Sequence, residues 1–145
     1  MEAMKAKKTT ELLRDLKKSR KFADYLKKNG AELRNHEFTE TINRLFQSQG
    51  QSKAMIARAA GTSEAYLYQI FSGARVPSRN RLLCICIGMR VPVEDTQLLL
   101  RQCGYAPLYV RDKRDAAILY GLMHGSELSA VSDLLFENGE EPLLE

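Results

Sequence analysis

Residues 52 to 73 run Ser-Lys-Ala-Met-Ile-Ala-Arg-Ala-Ala-Gly-Thr-Ser-Glu-Ala-Tyr-Leu-Tyr-Gln-Ile-Phe-Ser-Gly, and few local folds accept that order. Ile56, Ala57 and Ala60 recur on one side of a first short helix, and Leu67 and Ile70 on one side of a second. The spacing therefore predicts two helices sharing a small core. Gly61 stands where the turn between them needs a positive φ, which glycine adopts without a Cβ clash. Ser63 follows as an N-cap whose hydroxyl oxygen accepts a free amide of the second helix. Ala57 matters for its size, because helices crossing steeply over a turn of about three or four residues need a small side chain at closest approach.

These positions resemble the lambda-repressor-like (Xre-type) helix-turn-helix family. Ser52, Lys53, Ile56, Ala57, Gly61, Ser63, Leu67, Ile70, Gly73 and Pro77 stand at the family's spacing, and the resemblance runs from His36 to Gly104, about half of the chain. Two positions depart from the pattern. Lys53 replaces the usual Gln, and Phe71 replaces the usual Glu late in the second helix. Some relatives pair that Glu with an Arg on the first helix of the domain, and the matching position here is Phe46. An aromatic contact in place of an ion pair is expected, and such an apolar replacement is often neutral or stabilising.

The resemblance implies a lambda-repressor-like five-helix domain at 36–108; the residues around it read as a basic helical extension at 1–35 and a helical hairpin at 109–145, so the whole fold is expected to be all-α. It also implies double-stranded DNA as partner, with the second motif helix, about residues 63–72, in the major groove. By position in the family motif, Glu64, Ala65 and Gln69 are the expected base readers. Gln69 suits adenine, Glu64 the amino group of cytosine, and Ala65 a thymine methyl. Lys53, Ser63, Tyr66, Arg75 and Arg79 are expected at phosphate or sugar, with Arg58 a weaker candidate. Tyr68 has two options, outward beside the readers or inward to the core.

Charge divides the chain. Residues 1 to 90 hold 18 Lys and Arg against 8 Asp and Glu, whereas residues 91 to 145 hold 4 against 10. A basic half containing this motif is the electrostatic footprint of a nucleic-acid binder, and the acidic half is expected to face away from phosphates. The lysine run from Lys5 to Lys28 has an equally simple reading as a solvated helix face.

A second pattern is internal. The stretch from Arg79 to Leu108 recurs 35 residues later, from Arg114 to Leu143, with Leu99-Leu100, Gly104 and Pro107-Leu108 matching Leu134-Leu135, Gly139 and Pro142-Leu143. Each copy reads as a helical hairpin ending at Gly and leaving through Pro-Leu. The second copy would repeat helices four and five of the domain and extend the core, and it is the expected surface for a second subunit or a protein partner.

The coarse map is helical throughout: Thr10 to Asn29, stopped by Asn29-Gly30 and broken near Ser19; Phe38 to Ser48; the two motif helices; Arg79 to Met89; Glu94 to Cys103; Asp112 to His124; Glu127 to Asn138. No stretch alternates with period two, and all four prolines fall at proposed boundaries. The N-terminal helix has three options, packing through Phe22, Tyr25 and Leu26, reaching the DNA backbone, or docking a partner. Burial of those apolar residues favours packing.

Other chemistries find little support. The longest apolar stretch, Leu82 to Met89, is too short to span a bilayer, and a cytoplasmic location is expected. Cys84, Cys86 and Cys103 are odd in number and read as reduced core residues. His36 and His124 lack zinc-ligand spacing, so neither metal nor cofactor is expected. There is no Gly-rich phosphate loop and no nucleophile beside a histidine, so no enzyme is expected; Asp112 and Asp115, among Arg111, Lys113 and Arg114, read as a helix start with local ion pairs. Two functions remain: a transcriptional regulator binding an operator as a homodimer, and a non-enzymatic protein adaptor, antitoxin-like or signalling, that keeps the scaffold and uses the Tyr-bearing face.

Overall fold

The computed structural model describes residues 7–144, the side chains of residues 31, 34 and 35 excepted. Lys5, within the expected lysine run, lies outside the described residues. Among those described, every regular element is helical: α1 (Thr9–Lys18), α2 (Phe22–Asn29), a 3-10 turn (Gly30–Glu32), α3 (Arg34–Gln47), α4 (Lys53–Ala59), α5 (Glu64–Ser72), α6 (Arg79–Met89), α7 (Val93–Gln102), α8 (Lys113–Met123) and α9 (Leu128–Glu137). None is long and apolar enough to cross a membrane.

The helix starts follow from capping. Ser52, Ser63, Ser78 and Asp112 each place a side-chain oxygen on a free first-turn amide, opening α4, α5, α6 and α8. The core is built around α6, in which every residue from Leu82 to Met89 is buried. On one side α4 crosses it, with α5 beside α4; α3 packs on α5 and α7; α8 and α9 close the other side against α7 and α6. At the crossing of α4 and α6 a Cβ on Gly88 would lie 2.9 Å from the backbone nitrogen of Ala60, so only glycine permits the approach.

The 35-residue repeat recurs in the backbone closures. Val91 N–H donates to Cys86 O and Ser126 N–H to Gly121 O, and likewise Tyr105 to Leu100 and Glu140 to Leu135, all at 2.9 Å. Gly104 and Gly139 are both left-handed. The Nε of Arg79 donates to Ala106 O, and the Nε of Arg114 to Glu141 O. Leu108 and Leu143, the exits of the two hairpins, are both buried. The carboxylate of Asp115 lies 3.2 Å from the Arg79 guanidinium and accepts the Tyr109 amide, tying α8 to α6 across the hairpins. Asp115 therefore pairs at long range rather than with its basic neighbours, while Asp112 is the cap.

The N-terminal region departs from expectation in its packing. The break expected near Ser19 divides 10–29 into α1 and α2, with Lys7 and Lys28 bridging to Asp15 at 3.1 and 3.3 Å. α2 ends at Asn29 as expected, but Gly30 is in the right-handed helical region and opens a 3-10 turn rather than a left-handed cap. Of the three residues expected to pack, Tyr25 is buried, but Phe22 is 65% exposed and Leu26 39%. Burial through Phe22 and Leu26 is thus not the arrangement adopted; Lys28 of α2 reaches Asp15 of α1, and Lys7, ahead of α1, reaches both Asp15 and Asn29. The helix expected from Phe38 begins earlier, at Arg34, with Leu33 as its N-cap.

All three cysteines are free. Burial pushes the Cys84 thiol up to about 11 and those of Cys86 and Cys103 up to about 12, from an ordinary value of 9.0. The unfolded chain releases these protons near pH 9 while the fold retains them. Their contribution is therefore complete below about pH 9 and is lost as pH rises through the folded-state values. Urea unfolding between neutral pH and about pH 11 should show stability falling only above pH 9, and Cys86→Ala should flatten that fall.

Candidate nucleic-acid interface

The turn between α4 and α5 closes as its residues require. Gly61 has φ +66°, and the Thr62 amide reaches back to Ala57 O at 2.9 Å, satisfying a carbonyl at the end of α4. Ile56, Ala57, Ala60, Leu67 and Ile70 are all at most 2% exposed. Phe46 and Phe71 meet at 5.2 Å between ring centroids, the expected aromatic contact. The far end of α5 is held by α3: Asn43 Nδ2 donates to Phe71 O at 2.8 Å, and Gly73 closes the helix with φ +82°. The α5 helix is thereby fixed at both ends with one face turned outward.

That face carries Glu64, Ala65, Tyr68 and Gln69, all exposed. Tyr68 takes the outward option at 54% exposure. At the start of α5, Ser63 Oγ accepts the Tyr66 amide at 3.1 Å, which leaves its own hydrogen free to donate. The Tyr66 ring is flanked by two guanidinium groups, Arg75 at 5.6 Å and Arg81 at 4.9 Å from its centroid. Together with Gly61, Thr62 and Ser63 they line one small depression. Burial pushes the Tyr66 phenol above its ordinary value against the opposing pull of Arg81 and Arg75, so its hydroxyl remains a donor at neutral pH. The loop behind Arg75 is anchored by Tyr105, whose hydroxyl donates to Pro77 O at 2.7 Å.

Lys53 sits at the start of α4 with its ammonium over three rings, 4.8 Å from the centroid of Tyr68, 5.4 Å from Phe46 and 5.5 Å from Phe71. This aromatic bowl orients the cation without neutralising it.

Arg79 does not join this group. Its Nε donates to Ala106 O and its terminal nitrogens engage Asp115, so the whole fork is used inside the protein. Arg81, two positions on, is the cation that sequence reading missed. Residues two apart on a helix point about 200° apart, so only one of the two can face Tyr66. The signal was present: with residues 82–89 uniformly apolar, only the first turn of α6 was free to show a charge. Arg58 lines a different depression, shared with α6 and α9. No group of His, Cys, Asp and Glu among the described residues could hold a metal ion.

Compared with family models, curated proteins and solved structures, the chain matches none.

Proposed function

We propose that the chain is a sequence-specific double-stranded DNA-binding regulator of the Xre helix-turn-helix type, with α5 in the major groove. The observation that carries this reading is the convergence at the start of α5. Arg75 and Arg81 flank Tyr66 beside the cap Ser63, while Glu64, Ala65 and Gln69 are open to solvent on the same helix. Cations and a hydroxyl at a helix N-terminus suit a phosphate, and side chains open to solvent along the same helix suit base edges. Glu64, Ala65 and Gln69 are the base readers in this reading. Lys53, Ser63, Tyr66, Arg75 and Arg81 hold the backbone, with Arg81 taking the place expected of Arg79.

Fluorescence anisotropy on matched and scrambled duplexes across a salt series tests these roles. Gln69→Ala should cost about 1–3 kcal/mol on the matched duplex, relax preference at one base pair and leave the salt slope unchanged. Arg75→Ala and Arg81→Ala should weaken all duplexes alike and each lower the salt slope by about one. Equal losses on matched and scrambled DNA from Gln69→Ala would remove the base-reading role.

A second reading, a protein adaptor or a dimer through the C-terminal hairpin, draws on a different observation. Tyr109, Val110, Tyr120, Met123 and Phe136 are all more than half exposed, Phe136 at 85%. Exposed aromatic and Met side chains are enriched at protein interfaces. Under DNA binding as a homodimer, this surface would hold two copies of α5 about one helical turn of DNA apart.

A further inference from the structure

We propose that the groove enclosed by α4, the C-terminal end of α6 and the start of α9 is a binding site for a small organic acid, an anionic head on an apolar body. The groove has a volume of about 560 Å3, within the range of small-molecule sites. Its apolar wall is Met55, Ile87, Leu128 and Leu144, and its cations are Arg58 and Arg90. Neither guanidinium has an ion-pair or hydrogen-bond partner among the described residues.

Arg90 is the informative one. Its φ of 56° makes it the one non-glycine residue with positive φ among those described, and the equivalent position of the second hairpin is Gly125, at φ 63°. A left-handed arginine carries backbone strain that glycine would avoid, and strain of this kind clusters at binding sites. The side chain it retains lines the groove. α9 begins without a side-chain cap, and its first two residues, Leu128 and Ser129, line the same groove with their amides left without an acceptor inside the helix. One acid, Glu127, also lines the groove, so the two guanidinium groups leave one positive charge in excess beside a helix N-terminus. An occupant bridges α4 and α9, and so touches the helix that positions α5. The site does not depend on the DNA-binding reading.

The test uses the full chain and two related probes, anilinonaphthalene sulfonate and the uncharged N-phenylnaphthylamine, in fluorescence titrations with amide shift mapping by NMR. Saturable binding of the sulfonate is expected, at least about tenfold tighter than the uncharged probe, with shifts at Leu128 and Ser129. Arg90→Gly should raise Tm by relieving the backbone and weaken sulfonate binding by about tenfold, while leaving the uncharged probe unaffected. Arg58→Gln should weaken the sulfonate without the gain in Tm. Equal affinity for both probes, shifts confined to another surface, no saturable binding, or an Arg90→Gly chain that keeps full sulfonate affinity would each overturn the proposal.

Discussion

Replacing Gly88 with valine is expected to lower stability by about 3 kcal/mol or more. A Cβ at this position lies 2.9 Å from the Ala60 nitrogen and 3.2 Å from the Ala59 carbonyl carbon, and both are backbone atoms that cannot rotate away. Helices α4 and α6 must separate to admit it, and a second γ carbon worsens the clash. Separation also opens the packing of Ile56 and Ala57, each nearly fully buried. Gly30→Ala is the matched control. Gly30 is already in the right-handed helical region, and nothing lies within 4 Å of its Cβ position. That variant should gain about 0.5–1 kcal/mol by restricting the unfolded chain. Urea unfolding of both variants checks the contrast, and comparable effects at the two glycines would mean that the crossing is not close.

Asp115→Ala should be nearly as severe, at about 2–4 kcal/mol. The variant strands the partly buried Arg79 guanidinium and removes the acceptor of the Tyr109 amide, so two groups lose a partner at once. Arg79→Leu combined with Asp115→Leu should recover much of that loss, because an apolar pair is no longer desolvated without compensation. The double variant has a second use. With Arg79 turned inward, its salt slope on duplex DNA should equal that of the unaltered chain, whereas an Arg79 at phosphate would lower it by about one. Denaturant midpoints and the salt series together separate the structural pair from an external contact.

Short-range features were legible in the sequence because short-range chemistry determines them. Gly61 and Ser63 define the turn through one positive φ and one cap, and Phe46 and Phe71 meet because the positions of a known ion pair were both apolar. The boundaries of α6 to α9 fall within about a residue of those expected, since Gly and Pro punctuate them. The failures share another cause. The partners Arg79 and Asp115 are 36 residues apart and are joined only by the stacking of two hairpins, so helix periodicity had no means of pairing them. Two arginines in one turn, Arg79 and Arg81, have opposite fates according to which neighbour α6 meets. The exposure of Phe22 and Leu26 is likewise a tertiary outcome; an apolar stripe on α1 and α2 predicts burial only if a facing element exists. The left-handed Arg90 runs against local preference, and such a departure is where function is best sought.

The most direct test of the central claim is selection from a randomised duplex pool, with sequencing, at low and at near-physiological salt. Binding through α5 predicts enrichment of a defined motif, two-fold symmetric if the chain acts as a dimer, that survives the higher salt and is altered at one base pair by Gln69→Ala. Weak binding that disappears at the higher salt with no enriched sequence would contradict it, and the exposed surface of α8 and α9 would then be the place to look for a protein partner.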